Sequence, residues 1–147
     1  MSTQEQAQRF VKLDDSGNQL PIDAKEWSQV LDRETNLIWT ADNALEKRVD
    51  WNDAKKAASA CRIGGAETWR LPAVKELISI VDYGREDPAI DVAFFRCKSN
   101  WYWSASPCAW APGSVAWVVN FNYGSVYGGG QGSTAFVRAV RSASPGQ

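Results

Sequence analysis

The feature that most limits the folds open to this chain is an uncharged run from Ser99 to Val137. All 33 Asp, Glu, Lys and Arg residues lie outside these 39 positions. Loose protein surface normally carries charge, so a segment this long without it favours packed strands joined by loops with short polar or aromatic side chains. Within the run, Gly128 to Gly130 follow Tyr123 and Tyr127.

Alternation predicts a strand in the middle of the run. Trp117, Val119 and Phe121 would share the face that packs on a core. The opposite face would display the residues that lie between and after them, namely Val118, Asn120 and Asn122. Farther along, Tyr, Ser, Gly and Asn dominate, and these residue types are enriched in antibody binding loops. The alternative is a glycine-rich hairpin whose tyrosines only cover the core.

We therefore predict a displayed ligand surface in this half of the chain. Its candidate residues are Cys108, Trp110, Gly113, Ser114, Val118, Asn120, Asn122, Tyr123, Ser125, Tyr127, Gly128, Gly129, Gly130, Gly132, Ser133 and Thr134. The expected ligand is a protein or a glycan, and we expect no catalytic residue, cofactor or metal. The oligomeric state is left open.

Composition argues against several other functions. The formal net charge is -1, so the chain lacks the basic surface that nucleic-acid binding requires. There is no histidine, which removes the commonest general base and zinc ligand. The amino terminus has no apolar signal segment and no later apolar run is long enough to span a bilayer, so we expect no membrane and a location in the cytoplasm or a phage virion. Three cysteines fit a reducing compartment, although the spacing also allows a bridge between Cys97 and Cys108.

The rest of the chain predicts an α+β fold in one domain over residues 9–141, with flexible ends at 1–8 and 142–147. Two hairpins are expected in the first third, with turns at residues 15–18 and 32–36. One helix would begin after Asp50 as N-cap and end at Gly64 and Gly65. A second, after Pro72, would run to Gly84, so that both helices have about three turns.

Five short motifs give this order of elements a family resemblance. They are WNDAKKAASAC, TWRLPAVKEL, NWYWSAS, AWVVNF and FVRAVR, in this order between residues 51 and 141. In sequence and spacing they resemble the DUF1566 family, also described as the Lcl carboxy-terminal domain, over roughly residues 25–141. Members of that family resemble the formylglycine-generating-enzyme variant of the C-type lectin fold. The resemblance implies two helices packed on a twisted antiparallel sheet, with long carboxy-terminal loops that display a ligand surface.

Structural roles are expected for the tryptophans and arginines of these motifs. The tryptophans of WNDA, TWRLP and WYWS are interpreted as packing residues. Arg70, Arg138 and Arg141 are expected to anchor carbonyls or the carboxylates of Glu76 and Asp82. Where the family often has Thr or Ser after RLP, this chain has Ala73, which would cost about 1 kcal/mol if that position caps the helix.

Motifs that could carry chemistry each have a simpler explanation. The tripeptide Trp51–Asp53 matches a calcium-binding motif of C-type lectins, but it opens a helix, so N-capping is favoured. The acidic residues Asp82, Glu86, Asp87 and Asp91 could form catalytic pairs, but a solvated loop explains them better. The GGGQGS stretch precedes a strand, whereas phosphate-binding glycine loops need a helix behind them.

Two alternative functions differ in class from a binding module. The enzyme that gives the fold its name oxidises cysteine with a cysteine pair and copper, a soft metal suited to thiolates, and Cys97 with Cys108 could form such a pair. The other alternative is a structural or assembly protein of a phage.

Some DUF1566-like proteins are variable proteins of diversity-generating retroelements, in which adenines of asparagine codons are mutagenised. Randomising AAC or AAT in this way yields Gly, Ser, Tyr, Val, Cys and similar residues, but not Trp, Gln, Glu, Lys or Met. Between Ser104 and Phe136 only Trp110, Trp117 and Gln131 fall outside the reachable set. The hypothesis is that the candidate positions other than Trp110 and Asn120 were once asparagines.

Overall fold

A computed structural model describes residues 8–143 of the chain. The flexible ends predicted at 1–8 and 142–147 therefore lie outside the described residues, apart from Gln8, Ser142 and Ala143. In chain order the strands and helices are β1 (Phe10–Leu13), β2 (Gln29–Asp32), β3 (Leu37–Thr40), α1 (Trp51–Ala60), α2 (Val74–Ser79), β4 (Trp101–Pro107), β5 (Val115–Asn120), β6 (Ser125–Gly130) and β7 (Val140–Ser142). Ser142 ends the last strand, one residue after the predicted boundary of the domain at residue 141.

The strands form two antiparallel sheets, where one had been expected. The first has the order β1-β2-β3-β7 and the second the order β4-β5-β6. The α+β class is confirmed. The expected long carboxy-terminal loops are largely replaced by strands, because β4, β5 and β6 form a meander with continuous pairing between β5 and β6.

The hairpin predicted around residues 32–36 is confirmed as the β2–β3 connection. Asn36 adopts a positive φ of 60°, which asparagine tolerates better than most residues. Asp32 is fully buried, and its carboxylate accepts two hydrogen bonds from Arg9, at 2.9 and 2.7 Å. The turn at residues 15–18 is also present, with Gly17 at φ 84° and a bridge between Leu13 and Gln19.

Helix α1 begins as predicted but ends earlier. The Asp50 side chain accepts a hydrogen bond from the backbone N–H of Asp53 at 2.9 Å, which confirms the N-cap. The prediction that Gly64 and Gly65 end the helix is wrong, because Cys61 already has an extended backbone. Both glycines lie instead in a short 3-10 turn with φ of 71°. A side chain at Gly64 would collide with the amide of Gln29, which a Cβ atom would approach to 2.7 Å.

Helix α2 has six residues, half the predicted length, and its start is capped from another element. The Glu76 carboxylate accepts a hydrogen bond from the backbone N–H of Ala73 at 2.8 Å. The Ser106 hydroxyl on β4 accepts one from Val74 N–H at 3.0 Å, so the cap hydroxyl missing at Ala73 is supplied by a strand. The helix ends because Asp82 N–H pairs with the Ala89 carbonyl at 2.8 Å, outside the helix.

Two apolar clusters hold the sheets and helices together. One contains the motif tryptophans Trp51, Trp69 and Trp103, which are 8%, 3% and 1% exposed. The other joins α2 to Tyr102, Phe121 and the residues of the 89–95 loop. The packing role is confirmed for these three tryptophans. Trp101, which shares the WYWS motif with Trp103, is only partly buried. No helix among residues 8–143 has the length and apolar character needed to cross a bilayer.

Candidate ligand-binding cleft

A cleft of about 650 Å³ lies on one face of the β4-β5-β6 sheet. Antiparallel register places residues of all three strands side by side on its floor. Trp101 is paired with Asn120, and Asn120 is paired in turn with Ser125. One step along the same face, the paired residues are Trp103, Val118 and Tyr127. The floor is therefore built from alternate positions of each strand.

The segment that leaves β6 lies beside this floor. Backbone hydrogen bonds hold it to the segment around α1: Trp51 N–H donates to the Gln131 carbonyl at 3.1 Å, and Val49 and Ala135 exchange bonds at 2.9 and 3.0 Å. Ser133, Thr134 and Ala135 consequently line the cleft. Because these bonds are made by backbone groups, they do not depend directly on the side chains of the segment.

Two tyrosines give the cleft an exposed aromatic rim. Tyr127 is 56% exposed and Tyr123 is 61% exposed, although both line the cleft. The Tyr127 ring meets the ring of Trp101 edge to face, with centroids 5.1 Å apart. Offset rings of this kind stabilise one another, so the apolar side of the cleft is formed in the absence of a ligand.

Short polar side chains line the same cleft without using most of their hydrogen-bonding capacity. The Asn120 side-chain oxygen accepts a bond from Asn122 N–H at 2.9 Å, which leaves its amide NH₂ group available. Within residues 8–143 the side chains of Asn122, Ser125, Ser133 and Thr134 make no hydrogen bond in the structure. Amides and hydroxyls both donate and accept hydrogen bonds, so these groups could pair with a donor or an acceptor on a ligand.

The cleft lining contains no charged residue. An ion entering it would lose hydration without gaining a partner of opposite charge, which is unfavourable. The arrangement thus suits a neutral ligand that combines apolar surface with hydroxyl or amide groups.

Packing explains two of the three consecutive glycines. A Cβ atom at Gly129 would lie 3.2 Å from Cγ1 of Val118 and 3.5 Å from the Trp103 ring, so glycine keeps the floor of the cleft open. At Gly128 a Cβ atom would lie 3.1 Å from the Trp110 ring and 3.4 Å from the Cys108 sulfur. Gly130 is different, since its only close neighbour would be the Ser133 hydroxyl at 3.5 Å.

The structure brings together ten of the predicted site residues. Those that line the cleft are Val118, Asn120, Asn122, Tyr123, Ser125, Tyr127, Gly128, Gly129, Ser133 and Thr134. Those outside its lining are Cys108, Trp110, Gly113, Ser114, Gly130 and Gly132. Cys108 is fully buried and has no surface to offer, because it lies inside the β4–β5 connection. Trp110 is 70% exposed and packs over Gly128.

Sequence reasoning missed three residues of the lining: Trp101, Trp103 and Ala135. Trp101 and Trp103 had been assigned to packing, yet their spacing of two on a strand puts them on one face. The alternation of β5 was also less clean than predicted, because Val118 is only 5% exposed while Trp117 is partly exposed. Both faces of β5 contribute to apolar clusters, since Val118 packs in the cluster that contains Trp103, and Val119 packs in the cluster that contains Phe121.

The predicted anchoring role is confirmed for Arg138 and Arg70, whereas Arg141 bonds to a side-chain amide and not to a backbone carbonyl or a carboxylate. Arg138 is fully buried and donates to the carbonyls of Thr40 and Arg96, both at 2.6 Å. Arg70 forms a two-point pair with Glu76 at 2.7 and 2.8 Å. The hydrogen bonds to Arg70 and to Ala73 N–H lower the pKa of Glu76 despite partial burial. Arg141 donates to the side chain of Gln29 at 2.8 Å.

A second cleft, of about 800 Å³, has a different character and contains Cys97. Its lining includes Asp42, Glu46, Arg96 and Lys98. All three cysteines are free thiols. Burial raises the pKa of the Cys108 thiol, which disfavours the reactive thiolate. Among the described residues there is no group of three Cys, Asp or Glu side chains that could hold a metal ion.

The acidic residues after α2 are partly paired with a cation. Arg85 contacts Asp82 at 2.9 Å and Asp91 at 3.7 Å, so Asp82 is not a partner of the three anchoring arginines. Glu86 and Asp87 are exposed. This fits the interpretation of a solvated loop.

The fold and cleft define a small α+β domain that carries a preformed, uncharged concave surface. A sequence model of the Lcl C-terminal domain matches residues 28–141. This match covers most of the chain, so the protein belongs to the Lcl C-terminal domain family, also known as DUF1566. A search of curated proteins found no match to the chain.

Proposed function

We propose that this domain is a non-enzymatic binding module that uses the β4-β5-β6 cleft to hold an uncharged protein or glycan ligand. The observation that carries the proposal is the combination found in the cleft lining: aromatic rings, short hydrogen-bonding side chains without partners in the described structure, and no charge. Small-molecule and cofactor sites commonly measure about 300–1,000 Å³, and the cleft falls within that range.

Two features support binding at this position. The aromatic rings supply contact area at low entropic cost, because Tyr and Trp have only two rotatable side-chain bonds. The short side chains of Asn122, Ser125 and Thr134 can adjust to hydroxyls or peptide groups. The scaffold beneath is fixed by buried residues such as Trp103 and Phe121, so changes in the exposed residues need not disturb the fold.

The finer fold assignment belongs to this proposal as well. We infer a C-type-lectin-like fold of the formylglycine-generating-enzyme variant, which is supported by the family membership, the two helices and the antiparallel strands. Solving a crystal structure and comparing its topology with that fold would test the assignment.

The proposal includes genetic diversification of the cleft. Ten of its lining residues were candidate positions, and nine of these are in the set that was proposed to descend from asparagine codons. Diversification at Gly128 and Gly129 would be restricted, since both have close neighbours. The test is the genome: a nearby copy of this coding segment that differs only at adenines supports the idea, and a genome without such a repeat or a reverse transcriptase refutes it.

The binding proposal is tested with the intact chain and two libraries, an array of neutral oligosaccharides and a display library of uncharged peptides. We expect binders in one library, and their binding should be lost in the double variant Tyr123→Ala/Tyr127→Ala. Trp110→Ala is the matched control, because Trp110 is an aromatic residue that is also more than half exposed and lies outside the cleft lining. Equal loss in the control, or binders unaffected by the double variant, would place recognition outside the cleft.

A further inference from the structure

The two sheets have four edge strands, and three of the edges are covered by other parts of the chain. Covered edges matter because an open edge presents unpaired backbone groups to other chains. The covering bonds include Leu20 N–H to the Lys12 carbonyl on β1 (2.8 Å), Phe136 N–H to the Trp101 carbonyl on β4 (2.8 Å) and Arg70 N–H to the Val140 carbonyl on β7 (2.9 Å).

The fourth edge, strand β6, is open at Val126 and Gly128 in the part of the chain that the structure describes, while the Gly130 carbonyl accepts a hydrogen bond from Ser133 N–H at 2.9 Å. Hydrogen-bonded pairs alternate along an antiparallel ladder, and Gln131 N–H donates to the Ser114 carbonyl. Counting back from Gln131 in steps of two, the residues whose backbone groups bond to β5 are Gly129, Tyr127 and Ser125. Val126 and Gly128 therefore point their N–H and C=O groups away from the sheet, and within residues 8–143 these groups have no hydrogen-bond partner.

Strand β6 also lacks the features that usually block pairing between chains. Proteins protect edge strands with charged residues, proline, bulges or short length. The six residues SVYGGG contain no charge and no proline. Their register with β5 is continuous over all six pairs, so no bulge bends the strand away.

We propose that the open edge of β6 pairs with β6 of a second copy of this chain in an antiparallel arrangement centred on Gly128. For the two strands to bond, the backbone N–H and C=O groups that point away from β5 must lie opposite each other. This condition is met when Gly128 pairs with Gly128 of the second copy. Val126 then lies opposite Gly130, and Tyr127 lies opposite Gly129. This inference stands apart from the proposed ligand, since it uses the edge of the sheet and not its face.

The sequence of β6 favours a copy of itself as the occupant. Its first half carries the bulky side chains and its second half is glycine, so antiparallel pairing sets large residues against residues without side chains. A cross-strand aromatic ring can cover glycine in this way. No like charges oppose each other, because the strand has none.

Pairing through β6 would join two three-stranded sheets into one sheet of six strands. The twofold axis of such a pair is normal to the sheet, so both clefts would open on the same face. The resulting dimer would present two neighbouring ligand sites in one direction.

The experiment is sedimentation velocity on the intact chain over a range of concentrations. We expect the wild type to form a species of twice the 16.2 kDa chain mass, and Gly130→Lys to lose it by placing a charge at the pairing edge. The variant should fold, because a Cβ atom at Gly130 meets only the Ser133 hydroxyl. Gly113→Lys is the matched control: it adds the same charge in a loop where a Cβ atom meets nothing within 4 Å, and it should remain dimeric.

Amide hydrogen exchange supplies an independent readout at single residues. In a β6-paired dimer the amides of Val126 and Gly128 exchange slowly in the wild type and rapidly in Gly130→Lys, while the amide of Tyr127 is protected in both. A wild type that is monomeric at all concentrations overturns the proposal. So does a dimer that survives Gly130→Lys with rapid exchange at Gly128, because its interface would lie elsewhere.

Discussion

Trp101 on β4 and Tyr127 on β6 meet edge to face across β5, with ring planes inclined at 73°. Such a pair contributes about 0.5–1.5 kcal/mol beyond the burial of its area. Because Tyr127 and Tyr123 are more than half exposed, we expect Tyr123→Ala/Tyr127→Ala to fold and to lose about 1–2 kcal/mol of unfolding free energy in a urea titration.

Trp69→Ala provides the contrast. Trp69 is 3% exposed, and its indole N–H donates to the Ile63 carbonyl at 2.9 Å. Deleting a buried ring of this size costs about 3–5 kcal/mol, so this variant should be largely unfolded or close to it. If both variants lost equal stability, the tyrosines would be core residues and the distinction between rim and scaffold would be wrong.

Arg138 marks the end of the uncharged run and acts as an internal clamp. Its guanidinium donates to the carbonyls of Thr40, Ala41 and Arg96, and its carbon lies 5.4 Å from the centre of the Phe95 ring. A lysine keeps the charge but not the planar fork of donors, so Arg138→Lys should lower the unfolding free energy by about 2 kcal/mol.

Arg62→Lys is the control for that substitution. Arg62 is exposed and also donates to two backbone carbonyls, at 2.7 and 2.8 Å. Replacing it with lysine therefore removes the same type of donor at a position where water can take over the hydrogen bonds. Its effect should stay below about 0.5 kcal/mol in the same denaturation experiment. Similar losses at both positions would show that burial of Arg138 does not strengthen its role.

Glu76 should make stability depend on pH in the acid range. Hydrogen bonds from Arg70 and from Ala73 N–H lower the pKa of Glu76 below its ordinary value of 4.5. A carboxylate with a lowered folded-state pKa contributes stability above its unfolded pKa, and that contribution is lost as the pH falls through the folded pKa. We expect wild type to exceed Glu76→Gln in unfolding free energy at pH 7, by about 1 kcal/mol or less for this partly exposed pair, and the difference to vanish in acid.

Urea titrations of both proteins from pH 7 down into the acid range measure this difference. Glu86→Gln serves as control, since Glu86 is exposed and lies in the solvated loop. If the difference in unfolding free energy between wild type and Glu76→Gln stayed constant through the acid range, the negative charge of Glu76 would not be its source.

The hydroxyl of Ser106 should contribute to the stability of the folded protein, although it lies near the end of β4. It accepts a hydrogen bond from Val74 N–H at 3.0 Å and so serves α2 as a cap from outside the helix. Ser106→Ala should cost about 1 kcal/mol, as loss of a cap usually does. Ser133→Ala is a matched control with a hydroxyl that has no partner in the described structure, and thermal melts that rank the two variants equally would contradict the capping role.

Local signals in the sequence were sufficient for the elements that depend on local chemistry. Asp50 caps α1 as predicted, and the turn ending at Asn36 is where its residue types placed it. The end of α1 was missed because two glycines looked like a stop, whereas the backbone departs at Cys61 to form a separate turn. The early end of α2 has a tertiary cause, the pairing of Asp82 with Ala89, which no local pattern contains.

The cleft was partly predictable for the same reason. Composition picked out the residues of β6 and its turns, since their chemistry differs from ordinary surface. Pairing register could not be read from composition, so the contribution of Trp101 and Trp103 from β4 was missed. Cys108 was misplaced because the loop residues around it resemble a displayed surface, although cysteine is among the residue types most often buried.

The pairing of β3 with β7 has a consequence for how the molecule is made. Leu37 lies opposite Ser142, so the first sheet gains its fourth strand only when residues separated by most of the chain have met. Contacts between distant residues slow folding, because the intervening chain must first be ordered. During synthesis the amino-terminal sheet therefore stays incomplete until β7 has been made. Until then the edge of β3 that pairs with β7 is exposed and could pair with another chain.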